Sequence, residues 1–375
     1  MRVALAKSTL RVPPTYFAVQ HAIRLAGAHE FRFFTGVAEV DDPAVAEALD
    51  VVEAVPLRGL GFRRRELLLP AALPRWSRQV SAWHPDLVHQ HTATWSLPAV
   101  RAARRTGAPL LTTVHGGDVE VAVRPAHGAM QRWHHRNVRA AGEASARILA
   151  VSRHLADRAV LAGLPAQRIE VHYQGVDTDV FRPGARADRR GDGPPRVLFA
   201  GALVERKGVL DLVEASRVAA TSAPHELRLV GAGPLGERLA RETAADAHID
   251  LVGRLDRDAL RAELQAADAL VLPTKTLAGG QEAAGLVLVE AQACGVPVIA
   301  YRSGGTPEML RAGETGLLVP EGDRAALAAA LADLLRLPAA EHRRMSEAAR
   351  RFAVEERSLA VSVRELDAHY RDLVA

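Results

Sequence analysis

The chain has 375 residues, 48% of them hydrophobic and 25% charged, with a net charge of +4. That length predicts two domains, and that balance excludes a disordered or fibrous chain. No run of about 18 uncharged apolar residues reads as a membrane span. "MRVALAKSTLRVPP" has too short an apolar core for a signal peptide, and the single cysteine, Cys294, rules out an intrachain disulfide and fits a reducing cytoplasm.

In chain order, "RVALA", "EFRFFTGV", "DLVHQH", "PLLTTVHG" and "ARILAVS" read as buried strands. "TYFAVQHAIRLAGA", "SLPAVRAARRTG" and "AMQRWHHRNVRAAGEA" lie between them with apolar residues at helical spacing. Strand–helix alternation predicts a parallel sheet covered on both faces. The segment 182–195, "RPGARADRRGDGPP", reads as a linker. Alternation then resumes with strands "RVLFAG", "ELRLVG", "IDLVGR", "ALVLPT", "VPVIAY" and "TGLLVP", and the chain ends on an amphipathic helix. The expected class is α/β: two Rossmann-like, doubly wound parallel-sheet domains facing across a cleft. Ligands of such sheets bind at the carboxyl ends of strands. The expected boundaries are 1–175, a hinge at 176–195, and 196–356, with the helix at 357–375 packing back on the first domain.

The charge is uneven. Residues 1–180 carry an excess of basic groups, whereas 181–375 carry a small acidic excess. The first half is therefore the better candidate for an anionic partner. Only Lys7, Lys207 and Lys275 are lysines in a chain that otherwise uses arginine, so each is informative. The stretch 58–80 mixes six arginines with Leu, Phe and Trp. It reads either as a surface for anionic lipid or as an ordinary helix with a core face. Cys294, in "AQACGVPVIA", reads as a packed small residue.

Gly231-x-Gly233-x-x-Gly236 matches a dinucleotide fingerprint, with Asp250 at a suitable distance. The fingerprint normally sits in a domain's first strand–helix turn, and here "RVLFAG…GVLDLVEA" precedes it. A structural turn is the better reading. His84, His89, His91, His134 and His135 lack a metal-ligand spacing, so no metal is expected.

Two segments carry chemistry. In "FAGALVERKGVLDLVEA" a strand ends at Gly201, a loop bears Arg206 and Lys207, and a helix follows Gly208. Cations and free helix N–H groups converging there suit a phosphate. In "QEAAGLVLVEAQA" Glu282 and Glu290 bracket an apolar run. Ala284-Gly285 allows a close backbone approach, and "LAGGQ" before it reads as a flexible lead-in. A carboxylate accepts two hydrogen bonds at once, which suits paired sugar hydroxyls. A nucleotide sugar offers such pairs on its ribose and on its transferred sugar.

The pattern "QEAAGLVLVEAQACGVPVIAYRSGGTPEML…GETGLLVPEGD" resembles the retaining glycosyltransferases of family 4, glycosyl transferases group 1, of the polysaccharide- and glycoconjugate-assembly type. "FAGALVERKG", "TVHGGDVE", "AVSRHLADRA" and "GVDTDVFRP" have counterparts in that family too. The resemblance implies the GT-B fold and transfer of a hexosyl group from a nucleotide-diphosphate sugar, UDP foremost, to a hydroxyl acceptor. It implies same-face attack and no metal or other cofactor. Glu290 would bind the ribose and Glu282 the donor sugar. The backbone of Ala283, Ala284, Gly285 and Leu286 would meet sugar and diphosphate, as would the segment from Gly201. Lys207, with Arg206, would neutralise the diphosphate, and His115 would reach the donor sugar. Implied partners are a nucleotide sugar and a sugar, lipid-linked or small-molecule acceptor, with no nucleic acid; the stretch 58–80, on its lipid reading, adds an anionic membrane at its cytoplasmic face. The chain departs from the family at Ala202, where arginine is usual, at Ala284 in place of an aromatic, and at Gln174 in place of asparagine. The N-terminal glycine-rich loop is absent, which bears on the acceptor. A sugar-nucleotide epimerase or hydrolase of similar build, or a dinucleotide-binding oxidoreductase, are the alternatives.

Overall fold

The structure is a computed structural model that describes residues 1–13, 15–184, 193–277 and 280–375. The central part of the linker expected at 182–195, and two residues of "LAGGQ", lie outside the described residues. The described chain forms two compact units, Met1–Gln174 with Ser362–Ala375, and Gly175–Val361.

In the first unit the strands are β1 (Arg2–Val12), β2 (Glu30–Val40), β3 (Asp50–Glu53), β4 (Leu87–His91), β5 (Leu110–Val114), β6 (Arg147–Ala150) and β7 (Ile169–Val171). They form one parallel sheet in the order β3-β2-β1-β4-β5-β6-β7. The period of two sorts its core. Val3, Leu5 and Leu87 enter one cluster with Leu111 and Leu149, while Ala4, Ala6 and Val88 enter the other with Phe34 and Trp76. Leu366 and Tyr370 of the last helix, Leu359–Val374, complete the first cluster.

Three local expectations change. The first strand does not stop at residue 6. It continues in register to Val12↔Val40, because Thr9, Leu10 and Val12 suit a strand and no glycine or proline intervenes before Pro13. The helix expected over 15–28 is a 3₁₀ turn, Tyr16–Ala18, followed by Gln20–Leu25. The edge strands β3 and β7 were not expected, being too short for a periodic signal.

The second unit contains β8 (Arg196–Ala200), β9 (Glu226–Val230), β10 (Ile249–Gly253), β11 (Ala269–Leu272), β12 (Val298–Tyr301) and β13 (Gly316–Val319). Each coincides with an apolar run named above. The sheet is parallel, in the order β10-β9-β8-β11-β12-β13. In both units the first strand lies beside the fourth. The chain order reverses there, and a crevice opens beyond the strands' carboxyl ends. Among the described residues no helix is long and apolar enough to cross a membrane.

Candidate functional site

In the second unit, the loops after β8 and β11 leave neighbouring strands and carry the charged residues. After β8 the chain passes Gly201, makes a 3₁₀ turn over Glu205–Lys207, and starts the helix Val209–Ala220 at Gly208. Gly208 has a φ of +67°, and a Cβ there would lie 1.8 Å from the Pro273 carbonyl oxygen. Only glycine can hold the β8 loop so tightly against the loop after β11. The backbone N–H of Lys275 donates to the Arg206 carbonyl at 2.8 Å, a second tie between the loops. The stem of Lys207 passes over Gly201, where a Cβ would stand 3.9 Å from its Cδ and Cε.

These ties bring Lys207 to Glu282. The ammonium Nζ lies 2.5 Å from Glu282 Oε2, and Arg206 Nη1 lies 3.6 Å from the same oxygen. The helix Leu286–Ala293 begins just beyond, capped by Gly285 at a φ of +84°. Ala283 precedes the buried Ala284. Two cations, one carboxylate and a helix N-terminus therefore lie within one stretch of the unit. That combination suits a phosphate group beside sugar hydroxyls.

Glu290 sits on the same helix, about 6 Å along its axis from Leu286 at 1.5 Å per residue. Among the described residues none hydrogen-bonds its carboxyl. Burial pushes that carboxyl up to about 7, opposed by the charge of Arg257. The residue is only half-buried by exposed area. The carboxyl is thus surrounded by protein although part of the residue still meets solvent.

Sequence reasoning missed Gly304 and Gly305. The Gly305 N–H donates to the Glu282 carbonyl at 2.9 Å, and a Cβ on Gly304, at a φ of +56°, would meet that carbonyl oxygen at 2.3 Å. The loop after β12 thus clamps the backbone of Glu282. The signal was the paired glycine after a predicted strand, in "YRSGG". Lys275 has a structural explanation: with Arg324 and the Tyr301 hydroxyl it satisfies the buried Asp211 at 3.0–3.3 Å. The glycine fingerprint is a structural turn. A Cβ on Gly231 would meet the Gly201 carbonyl oxygen at 1.8 Å, and one on Gly233 the Leu203 carbonyl oxygen at 2.4 Å. Cys294 is buried, and its thiol is pushed up to about 12 by burial and by Glu290.

His115 belongs to the first unit and follows β5. The Gln174 amide donates to its Nδ1 at 3.0 Å, so the ring proton resides on Nε2 and points to His91 Nδ1 at 3.2 Å. The His115 ring also packs on Phe17, centroid to centroid 4.4 Å. Burial, with Lys7 next in size, lowers His115 to about 3, so the imidazole is neutral. Asp118 fixes this loop by accepting from the N–H groups of Ala93, His115 and Gly116 at 2.9–3.1 Å. Gln174 therefore sets the tautomer of His115. His91 and Asp118 were not foreseen in these roles.

The stretch 58–80 divides between the two readings. Trp76, Leu69 and Leu73 enter the core, and Arg65 is buried with Glu53 at 3.2 Å. Leu57, Leu67 and Leu68 remain exposed beside the exposed Arg63 and Arg64. Among the described residues, no three or more His, Cys, Asp or Glu side chains group as metal ligands would.

Two family models match, Glycosyltransferase Family 4 over residues 16–180 and Glycosyl transferases group 1 over 185–352. A D-inositol 3-phosphate glycosyltransferase of Mycobacterium bovis is 33% identical over 363 residues, 90% of this chain and 74% of that protein. A GDP-mannose-dependent alpha-(1-6)-phosphatidylinositol monomannoside mannosyltransferase of Mycolicibacterium smegmatis is 35% identical over 250 residues, 63% of each. The matched span is thus under two thirds of that mannosyltransferase's length. Among solved structures, a sucrose-phosphate synthase of Thermosynechococcus elongatus aligns over 100% of this chain and 99% of its own, with a TM-score of 0.78 and 24% identity. HepE of Anabaena in complex with UDP and glucose aligns over 99% of each chain, with a TM-score of 0.75 and 18% identity.

Proposed function

The chain belongs to glycosyltransferase family 4, glycosyl transferases group 1, and has the GT-B fold; from that premise we propose that it transfers a hexosyl group from a nucleotide-diphosphate sugar to a hydroxyl acceptor with retention. The observation that carries this reading is the meeting of Lys207, Arg206 and Glu282 beside the N-terminus of the helix bearing Glu290. UDP sugars are the first donors to test. GDP-mannose is the second, because the 35% identical relative is GDP-mannose-dependent.

The difficult step is departure of the diphosphate from the anomeric carbon. That bond breaks with its electron pair going to the leaving oxygen, while positive charge builds on the sugar. Preorganised cations at the leaving group are the main lever, and removing one such donor typically costs about 3 kcal/mol in the barrier. Lys207 has three N–H donors, so it can keep Glu282 while it donates to a phosphate oxygen. Arg206 and the N–H groups at Gly285 and Leu286 add to it. No divalent ion is invoked, and turnover is expected to persist in excess chelator. The acceptor oxygen bonds to the anomeric carbon on the face the diphosphate leaves, and its proton passes to the departing phosphate. Glu282 orients the donor sugar through its hydroxyls, and Glu290 accepts from the paired ribose hydroxyls. His115 offers its Nε2–H to a donor hydroxyl in exchange for His91. An anionic membrane is a second proposed partner, through the exposed leucines and arginines of 57–68.

Two substitutions test the roles. Glu282→Ala should lower kcat about 100-fold or more with little change in nucleotide Kd. Glu290→Ala should weaken the nucleotide about tenfold, the loss of one charge-assisted pair. Full activity in both would refute the assignment.

A further inference from the structure

Lys7 is the one lysine that neither the donor site nor Asp211 explains. It lies in β1 one residue beyond Ala6↔Gln90, where the β1–β4 ladder ends, so it stands beside His91. This is the reversal point of the first unit's sheet. Lys7 is 8% exposed. Its ammonium makes one hydrogen bond, to the Thr9 carbonyl at 2.8 Å. Among the described residues no carboxylate lies within ion-pair distance of it.

The surroundings do not supply the missing counter-charge. Asp118 and Glu66 face Lys7, but only as the longer-range charges that partly offset its burial. Asp118 already spends its oxygens on three backbone N–H groups. The imidazoles of His91 and His115 are held neutral by burial. A buried ammonium with two unused N–H donors is costly unless an anion arrives. Burial accordingly lowers the Lys7 pKa. Structural needs do not account for it, since a methionine would fill the same volume without the cost.

We propose that Lys7, at the β1–β4 divide beside His91, binds an anionic group of the acceptor, so that the acceptor is a hydroxyl compound bearing a phosphate or a carboxylate. This deepens the glycosyltransferase reading and rests on it for the word acceptor. Lys7 contributes a point charge with two free donors, and the neutral imidazole of His91, whose Nδ1 accepts from His115 so that its Nε2 carries the proton, can donate without adding charge. The anion then fixes which hydroxyl of the acceptor is presented.

The composition makes this testable. With only three lysines in the chain, a protein labelled with ¹³Cε-lysine gives three NMR signals, assigned by their loss in Lys7→Met, Lys207→Met and Lys275→Met. The full chain is first saturated with the nucleoside diphosphate that binds it, then titrated with inorganic phosphate and, separately, with acetate. The expected result is that the Lys7 signal moves with one or both anions. Phosphate and acetate arms then tell phosphate ester from carboxylate. Lys7→Met should weaken that anion by on the order of 30-fold, and Lys7→Arg should retain part of the affinity. A Lys7 signal unmoved by either anion overturns the proposal. The nucleotide step reports separately on the donor site: if no nucleotide moves the Lys207 signal, the glycosyltransferase reading fails, whatever Lys7 does.

Discussion

Glu290 shows what one residue's environment decides. Its carboxyl rises from the ordinary 4.5 to about 7 because it is desolvated, and Arg257 only partly opposes this. A protonated carboxyl accepts at one oxygen and donates from the other, whereas the carboxylate accepts at both. Pairing with two ribose hydroxyls therefore favours the ionised form. The native state holds the proton between pH 4.5 and 7 and the unfolded chain does not. This group's contribution to stability is thus present below pH 4.5 and lost as pH rises through 7. Nucleotide affinity should change in the opposite sense, rising about tenfold per unit below pH 7 and levelling above it. Glu290→Gln should lose this part of the slope and keep only the part that comes from titration of the phosphate itself. His115, near 3, adds no step between pH 5 and 8. Calorimetry over that range checks both, and an identical slope in Glu290→Gln would refute the role of Glu290.

At the scale of elements, the short helix Phe62–Leu67 is the one whose function its sequence left open. Its pattern predicted a core face, and Arg65 takes it, through Glu53 and the Ala38 carbonyl. Its outer face keeps Leu67, 80% exposed, with Arg63 and Arg64. Leucine inserts into the headgroup boundary, and each arginine adds about 1 kcal/mol at an anionic surface. The protein should therefore float with vesicles containing anionic lipid at low salt and be released at high salt. Arg63→Glu/Arg64→Glu should not float. A wild-type chain that stays below such vesicles would end the membrane proposal. The six strands of the second unit were legible because each is a short apolar run flanked by turn residues. The edge strands β3 and β7 were not, and neither was the clamp of Gly304 on Glu282. That clamp depends on a contact across 22 positions that no local pattern encodes. Lys7 was legible only as a rare residue type. Its isolation is a property of β4, Asp118 and Thr9 around it.

At the scale of the whole chain, one topology is used twice. In each unit the first strand lies beside the fourth, and the residues assigned chemistry lie beyond the last paired residues of those two strands. Lys7 and His91 do so in the first unit. The Arg206–Lys207 loop and Glu282 do so in the second, although about 75 positions separate them. Alternation of strand and helix predicted the parallel sheets and, through them, the end at which ligands bind. The family resemblance supplied the roles of individual residues, which the alternation could not. The central claim is that the second unit grips a diphosphate through Lys207. Calorimetric titration of the wild type and Lys207→Ala with UDP, GDP and ADP, and with the matching monophosphates, tests it most directly. One diphosphate should bind the wild type and lose tenfold or more in Lys207→Ala, by roughly 1.4 kcal/mol or more, while its monophosphate changes far less. Equal diphosphate affinity in the two proteins would contradict the account.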